Sequence, residues 1–209
     1  MKLPSRAVAI AAAAGLAAAP LMMASPAQAA PGTTSLGDVL LADTVSGQPS
    51  FDRNGRDFDI LTAAVSAVLG ENAKSPVKVL FNGDATLTAF LPTDKGFERT
   101  AGDLGIAARN EAKLTGKLVD ALGLASIEQI LLYHVVPGVK INAKAAAASD
   151  GAALDMANGQ KVVVNVAKKG IFLRDQNRDV NNPRVIITDI NKGNKQIAHG
   201  INRVLLPAA

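Results

Sequence analysis

The chain has 209 residues, and its 22 lysine and arginine residues exceed its 18 aspartate and glutamate residues, which gives a formal net charge of +4. It contains no cysteine and no tryptophan, and its only histidines are His134 and His199. These counts exclude a disulfide scaffold, a thiol nucleophile, cysteine-ligated zinc or iron–sulfur sites and a three-histidine metal site. With 48% hydrophobic residues the chain is too apolar to be disordered, and with 3% aromatic residues it offers little surface for stacking on bases or sugars.

The first 29 residues have the three parts of a secretory signal peptide. Lys2 and Arg6 form a short positive region, residues 7–23 are uncharged, and the small side chains of Ala27 and Ala29 flank a cleavage point. The apolar run is rich in alanine and interrupted by glycine and proline, which favours a cleaved signal over a retained membrane anchor. We expect cleavage after Ala29, which leaves 180 residues with a net charge of +2 and no second apolar run of membrane length. Such a weak positive charge argues against a nucleic-acid partner.

The first predicted elements after the signal are a helix and a strand. Apolar residues recur at helical spacing over residues 59–69, and Gly70 is placed to end this helix. Apolar and polar positions alternate over residues 86–91, which is typical of a half-buried strand, and Pro92 ends it.

Helices are also predicted over the middle of the chain. Thr93 and Asp94 follow the strand directly, and their side-chain oxygens suit them to cap a short helix that includes Phe97. The further helices are one over 109–122 closed by Gly123, one over 126–135 opened by the capping box Ser126–Gln129 and ended by Pro137 and Gly138, and a small turn over 143–149.

The last third changes to short β-branched runs separated by turns rich in glycine and asparagine. These predicted strands are residues 161–166, 171–174, 184–189 and 201–206. Helices followed by strands indicate the α+β class, and the sequence contains no internal repeat.

Three separated segments of the sequence contain short motifs of aromatic, proline, histidine and polar residues. The first, LTAFLPTDKGF at 87–97, contains Thr88, Phe90, Pro92, Thr93, Asp94 and Phe97. The second, LLYHVVPG at 131–138, contains Tyr133, His134, Pro137 and Gly138. The third, IAHGINRVLLP at 197–207, contains His199. Together, and in this order, the three segments resemble the signature motifs of the fasciclin (FAS1) domain family. The resemblance covers residues 36–207 as one domain, preceded by a short extension at 30–35.

The resemblance implies a β-sandwich or wedge with helices packed along it, in an exported or cell-surface protein that takes part in adhesion or matrix contact and has no enzymatic activity. Single-domain secreted bacterial proteins are a known form of the family. The sequence departs from the family pattern at Gly200 and Asn202, which replace an apolar residue and an aspartate. Residues 47–85 and 175–183 are longer than the minimal domain requires, so we expect them to carry functions specific to this protein.

The resemblance also makes Tyr133 and His134 the candidate adhesion element. The residues themselves favour a structural role, because His134 lies at helical spacing from Ile127, Ile130 and Leu131 and so shares the apolar face of its helix. We therefore expect a buried, neutral imidazole bonded to a loop, with direct contact of Tyr133 and His134 with a partner as the alternative.

Other candidate sites are better explained as structural. Asp94 is interpreted as a helix cap and not as a catalytic carboxylate, and His199 as a paired buried group and not as a metal ligand with His134. The oxygen-rich stretches 52–59 and 175–181 are interpreted as turns, since the second has Val180 and Ile186 where a calcium loop needs glycine and glutamate. Nucleophile-elbow and phosphate-loop motifs are absent from the sequence, so we expect no catalytic residue, metal or cofactor.

The predicted function is that of a secreted, extracellular binding protein for cell adhesion or for envelope or matrix association, through a protein or an envelope glycan. The pairs Lys168–Lys169 and Lys192–Lys195 are short basic spots that are suited to an acidic polymer. The alternative is a carrier of a small ligand in a cleft between helices and sheet.

Overall fold

The computed structural model describes residues 31–208, so the expected signal peptide and its cleavage point lie outside the described residues. The α-helices are α1 (Leu36–Leu41), α2 (Asp59–Glu71), α3 (Asp94–Asp103), α4 (Glu111–Leu132) and α5 (Ala143–Ala147), with a 3-10 helix at Pro76–Phe81. The strands are β1 (Thr44–Val45), β2 (Gln48–Pro49), β3 (Leu87–Pro92), β4 (Val135–Pro137), β5 (Ala153–Asp155), β6 (Lys161–Ala167), β7 (Gly170–Arg174), β8 (Val185–Ile190) and β9 (Gln196–Ile201).

Two sheets and a helical layer build the fold. The larger sheet has the strand order β4-β3-β9-β8, in which β3 and β9 are parallel and the other pairs are antiparallel. The smaller sheet is the antiparallel meander β5-β6-β7, and β1 and β2 form a separate hairpin. The predicted α+β class and the sandwich of sheets with helices packed along it are confirmed.

Strand β3 is buried at all six positions, so the prediction of a half-buried strand is wrong. Leu87, Ala89 and Leu91 pack in one core with residues of α1, α2 and α4. Phe90 packs on the other side, in a second core with residues of β6 and β7 such as Val162 and Leu173. Successive side chains of β3 point to opposite faces, as in any strand, but each face packs against its own hydrophobic core. Thr88 is fully buried as well.

Several predicted boundaries of helices are corrected. Helix α2 continues through Gly70 to Glu71, and Ser126 lies inside α4 instead of opening a helix. Gly123 does interrupt the long helix as predicted, because its φ of 73° is left-handed, but the chain resumes the helix immediately. The second half then ends at Leu132, and Val135 belongs to strand β4.

The final predicted strand is also shifted. The structure places β9 at Gln196–Ile201 and not at residues 201–206. Val204 and Leu205 are buried in an irregular segment, and an apolar composition does not distinguish such a segment from a strand. The short strands β1, β2, β4 and β5 were not predicted, since each has only two or three residues.

Replacement of Leu131 tests the helical core. Leu131 in α4 is 7% exposed and packs in the core with β3, so Leu131→Ala should lower the free energy of unfolding by about 2–5 kcal/mol in urea titrations. Leu122→Ala is the control on the same helix, because Leu122 is 37% exposed and its removal should lower the free energy of unfolding much less. Equal losses in the two variants would contradict the assignment of Leu131 to the core.

Candidate functional site

Asp94 links the end of strand β3 to the start of helix α2. It is the first residue of α3 and is fully buried, yet its carboxylate accepts hydrogen bonds from the backbone N–H groups of Asp59 (3.1 Å) and Ile60 (2.8 Å) in the first turn of α2. Phe58, at the N-cap position of α2, makes no capping bond with its side chain. Asp94 therefore caps a helix that begins 35 residues earlier, whereas Thr93 caps α3 as expected, accepting from the N–H of Gly96 at 3.2 Å.

The carboxyl of Asp94 is also an unusual acid. Burial and the neighbouring Asp57 carboxyl together raise its pKa to about 8, although the two N–H donors of α2 act in the opposite direction. The Asp57–Asp94 pair consequently holds a proton more tightly than an exposed pair would. A structural cap was predicted for Asp94, but neither its distant partner nor the second carboxyl was.

His134 holds the chain after β9 in place. The imidazole is 4% exposed, and its Nδ1 donates to the carbonyl oxygen of Ile130 at 2.7 Å. Its Nε2 accepts from the backbone N–H of Leu205 at 2.9 Å, which fixes the neutral tautomer with the proton on Nδ1. Burial lowers the pKa of His134 to about 4. The ring is thus a buried, neutral group bonded to an irregular segment.

Tyr133 is fully buried beside His134. Its hydroxyl donates to the carbonyl oxygen of Lys161 at 2.9 Å and so links the end of α4 to strand β6 of the smaller sheet. The binding role of Tyr133 and His134 stays a prediction, and the burial of both side chains disfavours direct contact with a partner.

His199 and Thr88 fix the segment that follows β4. His199 is 1% exposed, and its Nε2 donates to the carbonyl oxygen of Ile141 at 2.8 Å. Thr88 accepts from the N–H of Ile141 at 2.8 Å and donates to the carbonyl oxygen of Val139 at the same distance. Gly138 permits the turn between them and β4 because its φ is 75°.

The remaining motif residues serve packing and turns. Phe90 stacks on His199 with ring centroids 6.1 Å apart, Phe97 packs against the helical core, and Pro92 and Pro137 end strands β3 and β4. Within residues 31–208, the groups of three or more side chains that could hold a metal contain neither histidine.

An apolar groove runs between α2, α3, α4 and the segment after β9. The unfilled space along it measures about 680 Å³, part of which is open to solvent. Its lining is almost wholly apolar, and His134 lies at its inner wall; typical lining residues are Leu61, Phe97, Leu118, Leu122, Ile130 and Val204.

The two long segments differ in how far they reach into the fold. Residues 47–85 contain α2 and the 3-10 helix, which pack in the helical core, and their exposed parts include the loop before α2 and residues 71–74. In 175–183, Val180 is buried and Asp175 accepts from the N–H of Leu206 at 3.0 Å, so only part of this loop is a solvated tip. Burial raises the pKa of Asp175 to about 6. Exposed side chains in this loop include Arg178 and Asn181.

Two buried residues that sequence reasoning missed are Gln196 and Glu111. The Gln196 amide accepts from the N–H of Leu36 at 2.7 Å and donates to the carbonyl oxygens of Val79 and Asn82, so it attaches α1 and the 3-10 helix to β9. Glu111 begins α4 and is buried beside the loop before α2. Neither has a local sequence signal, because the partners of each come from distant parts of the chain.

Comparison with known proteins identifies the family. The model of the fasciclin domain matches residues 59–207, and the chain therefore belongs to the fasciclin domain family. The fold is similar to the solved structure of a FAS1 domain pair from the insect cell adhesion molecule fasciclin I, with 20% sequence identity and a TM-score of 0.50. The match covers 76% of this chain and 51% of that one, so the chain spans about half the length of that structure. No curated protein matches the sequence significantly.

Removal of the Asp94 side chain tests its role as a distant cap. Asp94→Ala leaves the N–H groups of Asp59 and Ile60 without an acceptor in a buried place and should lower the free energy of unfolding by about 1–3 kcal/mol. Asp94→Asn keeps an acceptor oxygen and should lose less. Asp120→Ala, at an exposed position of α4, is the control in the same urea titrations. Equal stability of parent and Asp94→Ala would contradict the capping role.

The buried His134 predicts a dependence of stability on pH. The pKa is about 4 in the folded chain and about 6.5 for a free histidine, so the unfolded state takes up the proton first as the pH falls. The contribution of neutral His134 is complete above about pH 6.5 and is lost toward pH 4, by up to about 3 kcal/mol. Urea unfolding of the parent and His134→Gln between pH 7 and 4 should show the difference between them shrinking by about that amount. A constant difference would contradict the lowered pKa.

Proposed function

We propose that the protein is an exported, bacterial fasciclin-domain protein that binds a protein or an envelope glycan in cell adhesion or envelope association. The family match over residues 59–207 supports this proposal, as does the likeness in fold to a domain pair from an insect cell adhesion molecule. Export rests on the signal-like sequence of residues 1–29. Among residues 31–208, the structure contains no helix that is both long enough and apolar enough to cross a membrane.

The observation that carries a binding function is the state of the reactive side chains in the family motifs. His134, His199, Tyr133 and Asp94 are all buried and all bonded to backbone groups. A general acid or base must reach the proton that it transfers, and a histidine that accepts from a structural N–H cannot do so without breaking that bond. The motif residues therefore favour a structural role, and function by surface contact.

We further propose a single fasciclin domain over residues 36–207, after a signal at 1–29 and a short extension at 30–35. The family model begins only at residue 59, but Leu36 and Leu40 of α1 pack in the same core as β3 and α2. Gln196 also bonds to the N–H of Leu36. Helix α1 thus contributes to the same hydrophobic unit, which supports the earlier start.

The contact surface is proposed to lie on the exposed parts of the two long segments, the loop before α2 and the loop 175–183. Both carry exposed arginine side chains, Arg53 and Arg178, that make no ion pair among the described residues. An unpaired arginine on a loop is available for a carboxylate or a sugar-bound acid of a partner. A second candidate function is a carrier of a small apolar ligand, and the observation that favours it is the almost wholly apolar lining of the groove beside His134.

The test is capture of a partner by the immobilised protein from the envelope extract and culture supernatant of the producing organism. Arg53→Ala and Arg178→Ala should reduce capture of a specific protein or glycan, whereas Lys113→Ala, at an exposed position of α4, should not. Tyr133→Phe keeps the buried ring and removes only the hydroxyl, so loss of capture in that folded variant would favour the Tyr133–His134 contact instead. Absence of a captured polymer, together with an apolar molecule carried by the purified protein in native mass spectrometry, would contradict adhesion and favour the carrier.

A further inference from the structure

Five carboxylates meet where the loop before α2 approaches the first residues of α2, α3 and α4. This acidic cluster consists of Asp52, Asp57, Asp59, Asp94 and Glu111. One oxygen each from Asp52, Asp59 and Glu111 lies within 4.8 Å of the others, and the same holds for Asp57, Asp59 and Asp94. Among the residues that the structure describes, no lysine or arginine forms an ion pair with any of the five.

Helix capping and loop bonding explain two of these carboxylates. Asp94 accepts from two N–H groups of α2, as described above. Asp59 is 2% exposed and accepts from the N–H and hydroxyl of Ser50, at 3.2 and 3.1 Å, and from the N–H of Asp52 at 3.3 Å. The positive ends of the helices add a modest attraction for both groups.

The same explanation fails for Glu111 and Asp57. Glu111 is only 5% exposed, and its Oε2 is buried without a hydrogen-bond partner. Asp57 likewise receives no hydrogen bond from a backbone or side-chain donor, apart from the proton that it shares with Asp94. A buried carboxylate without donors is costly, and the cost increases when further carboxylates surround it.

We propose that the acidic cluster binds a calcium ion, with Asp52, Asp59 and Glu111 as its central ligands and with Asp57 and Asp94, which lie equally close to Asp59, beside them. Calcium prefers oxygen ligands at about 2.3–2.6 Å, so two ligand oxygens on opposite sides of the ion are about 4.8 Å apart, as the spacing within the cluster allows. Zinc is disfavoured because the cluster supplies neither nitrogen nor sulfur. Magnesium requires shorter distances of about 2.0–2.1 Å in a near-ideal octahedron and usually keeps several waters, whereas calcium accepts several carboxylates in a flexible arrangement, so we assign calcium.

The sequence alone predicts turns at 52–59, because the further carboxylate that would suggest a metal site, Glu111, is more than fifty residues away in the chain. Folding places the first residue of α4 against this loop, and Glu111 then completes an oxygen shell that the loop by itself lacks. The ion would join the loop before α2 to the start of α4. The ion would hold the same loop that carries Arg53, but calcium titration measures ion binding and the capture experiment measures partner binding, so a failure of one proposal is distinguishable from a failure of the other.

The experiment measures calcium binding to the full protein after treatment with a chelator. Calorimetric titration with CaCl₂ should give one ion per chain with a dissociation constant in the range of about 10 μM to 1 mM, and calcium should raise the midpoint of thermal unfolding. MgCl₂ should bind at least about tenfold more weakly. Glu111→Gln should weaken calcium binding by at least about tenfold. Asp57→Asn should also weaken it, and this variant serves as the test if Glu111→Gln folds poorly. Glu71→Gln, the same change at an exposed position at the end of α2, is the matched control.

Three results would overturn the proposal. The first is the absence of heat and of any shift in the thermal midpoint up to about 10 mM CaCl₂. The second is binding that is unchanged in both Glu111→Gln and Asp57→Asn, since the ion would then lie at other carboxylates. The third is equal affinity for magnesium, which would contradict the assignment of calcium to this set of ligands.

Discussion

Strand β3 has no face toward water, and most of the described structure follows from that constraint. A strand with a core on both sides must satisfy every nearby polar group internally, because water cannot do so. Thr88 bonds to the segment after β4, Thr93 caps α3, and Asp94 caps α2. These three residues lie within or directly after one strand, and each one fixes a different neighbouring element.

The two histidines extend the same arrangement to the other motifs. His134, just after α4, forms a hydrogen bond with the backbone of Leu205, and His199, within β9, forms one with the backbone of Ile141. The three motif segments are far apart in the sequence but adjacent in the fold, and each bonds to a backbone segment that has no regular partner. The hydrogen bonds of the motif side chains therefore fix irregular backbone segments in the buried interior, and they place no constraint on the surface residues. This explains how one fold can present very different binding loops.

The sequence predicted well those features that depend on neighbours in the chain. The helical spacing of apolar residues located α2, Thr93 was correctly chosen as a cap, and the position of His134 on an apolar face predicted its burial. The errors arose where distant segments decide the outcome. The burial of both faces of β3 depends on a second sheet, the true partner of Asp94 lies 35 residues away, and Glu111 has no local signal for its place beside Asp57. Val135 continued a helical pattern but pairs with Ala89 in a strand.

The parallel pairing of β3 with β9 also governs when the domain can form. Leu87 pairs with Gln196, so the central strand β3 can pair with β9 only after more than a hundred further residues have been synthesised. Contacts between such remote segments carry a large loop-closure cost and slow the folding of a chain. During synthesis the first two thirds of the protein have helices but no completed central sheet. The two cores on either side of β3 therefore cannot close until the last strand of the domain has been made.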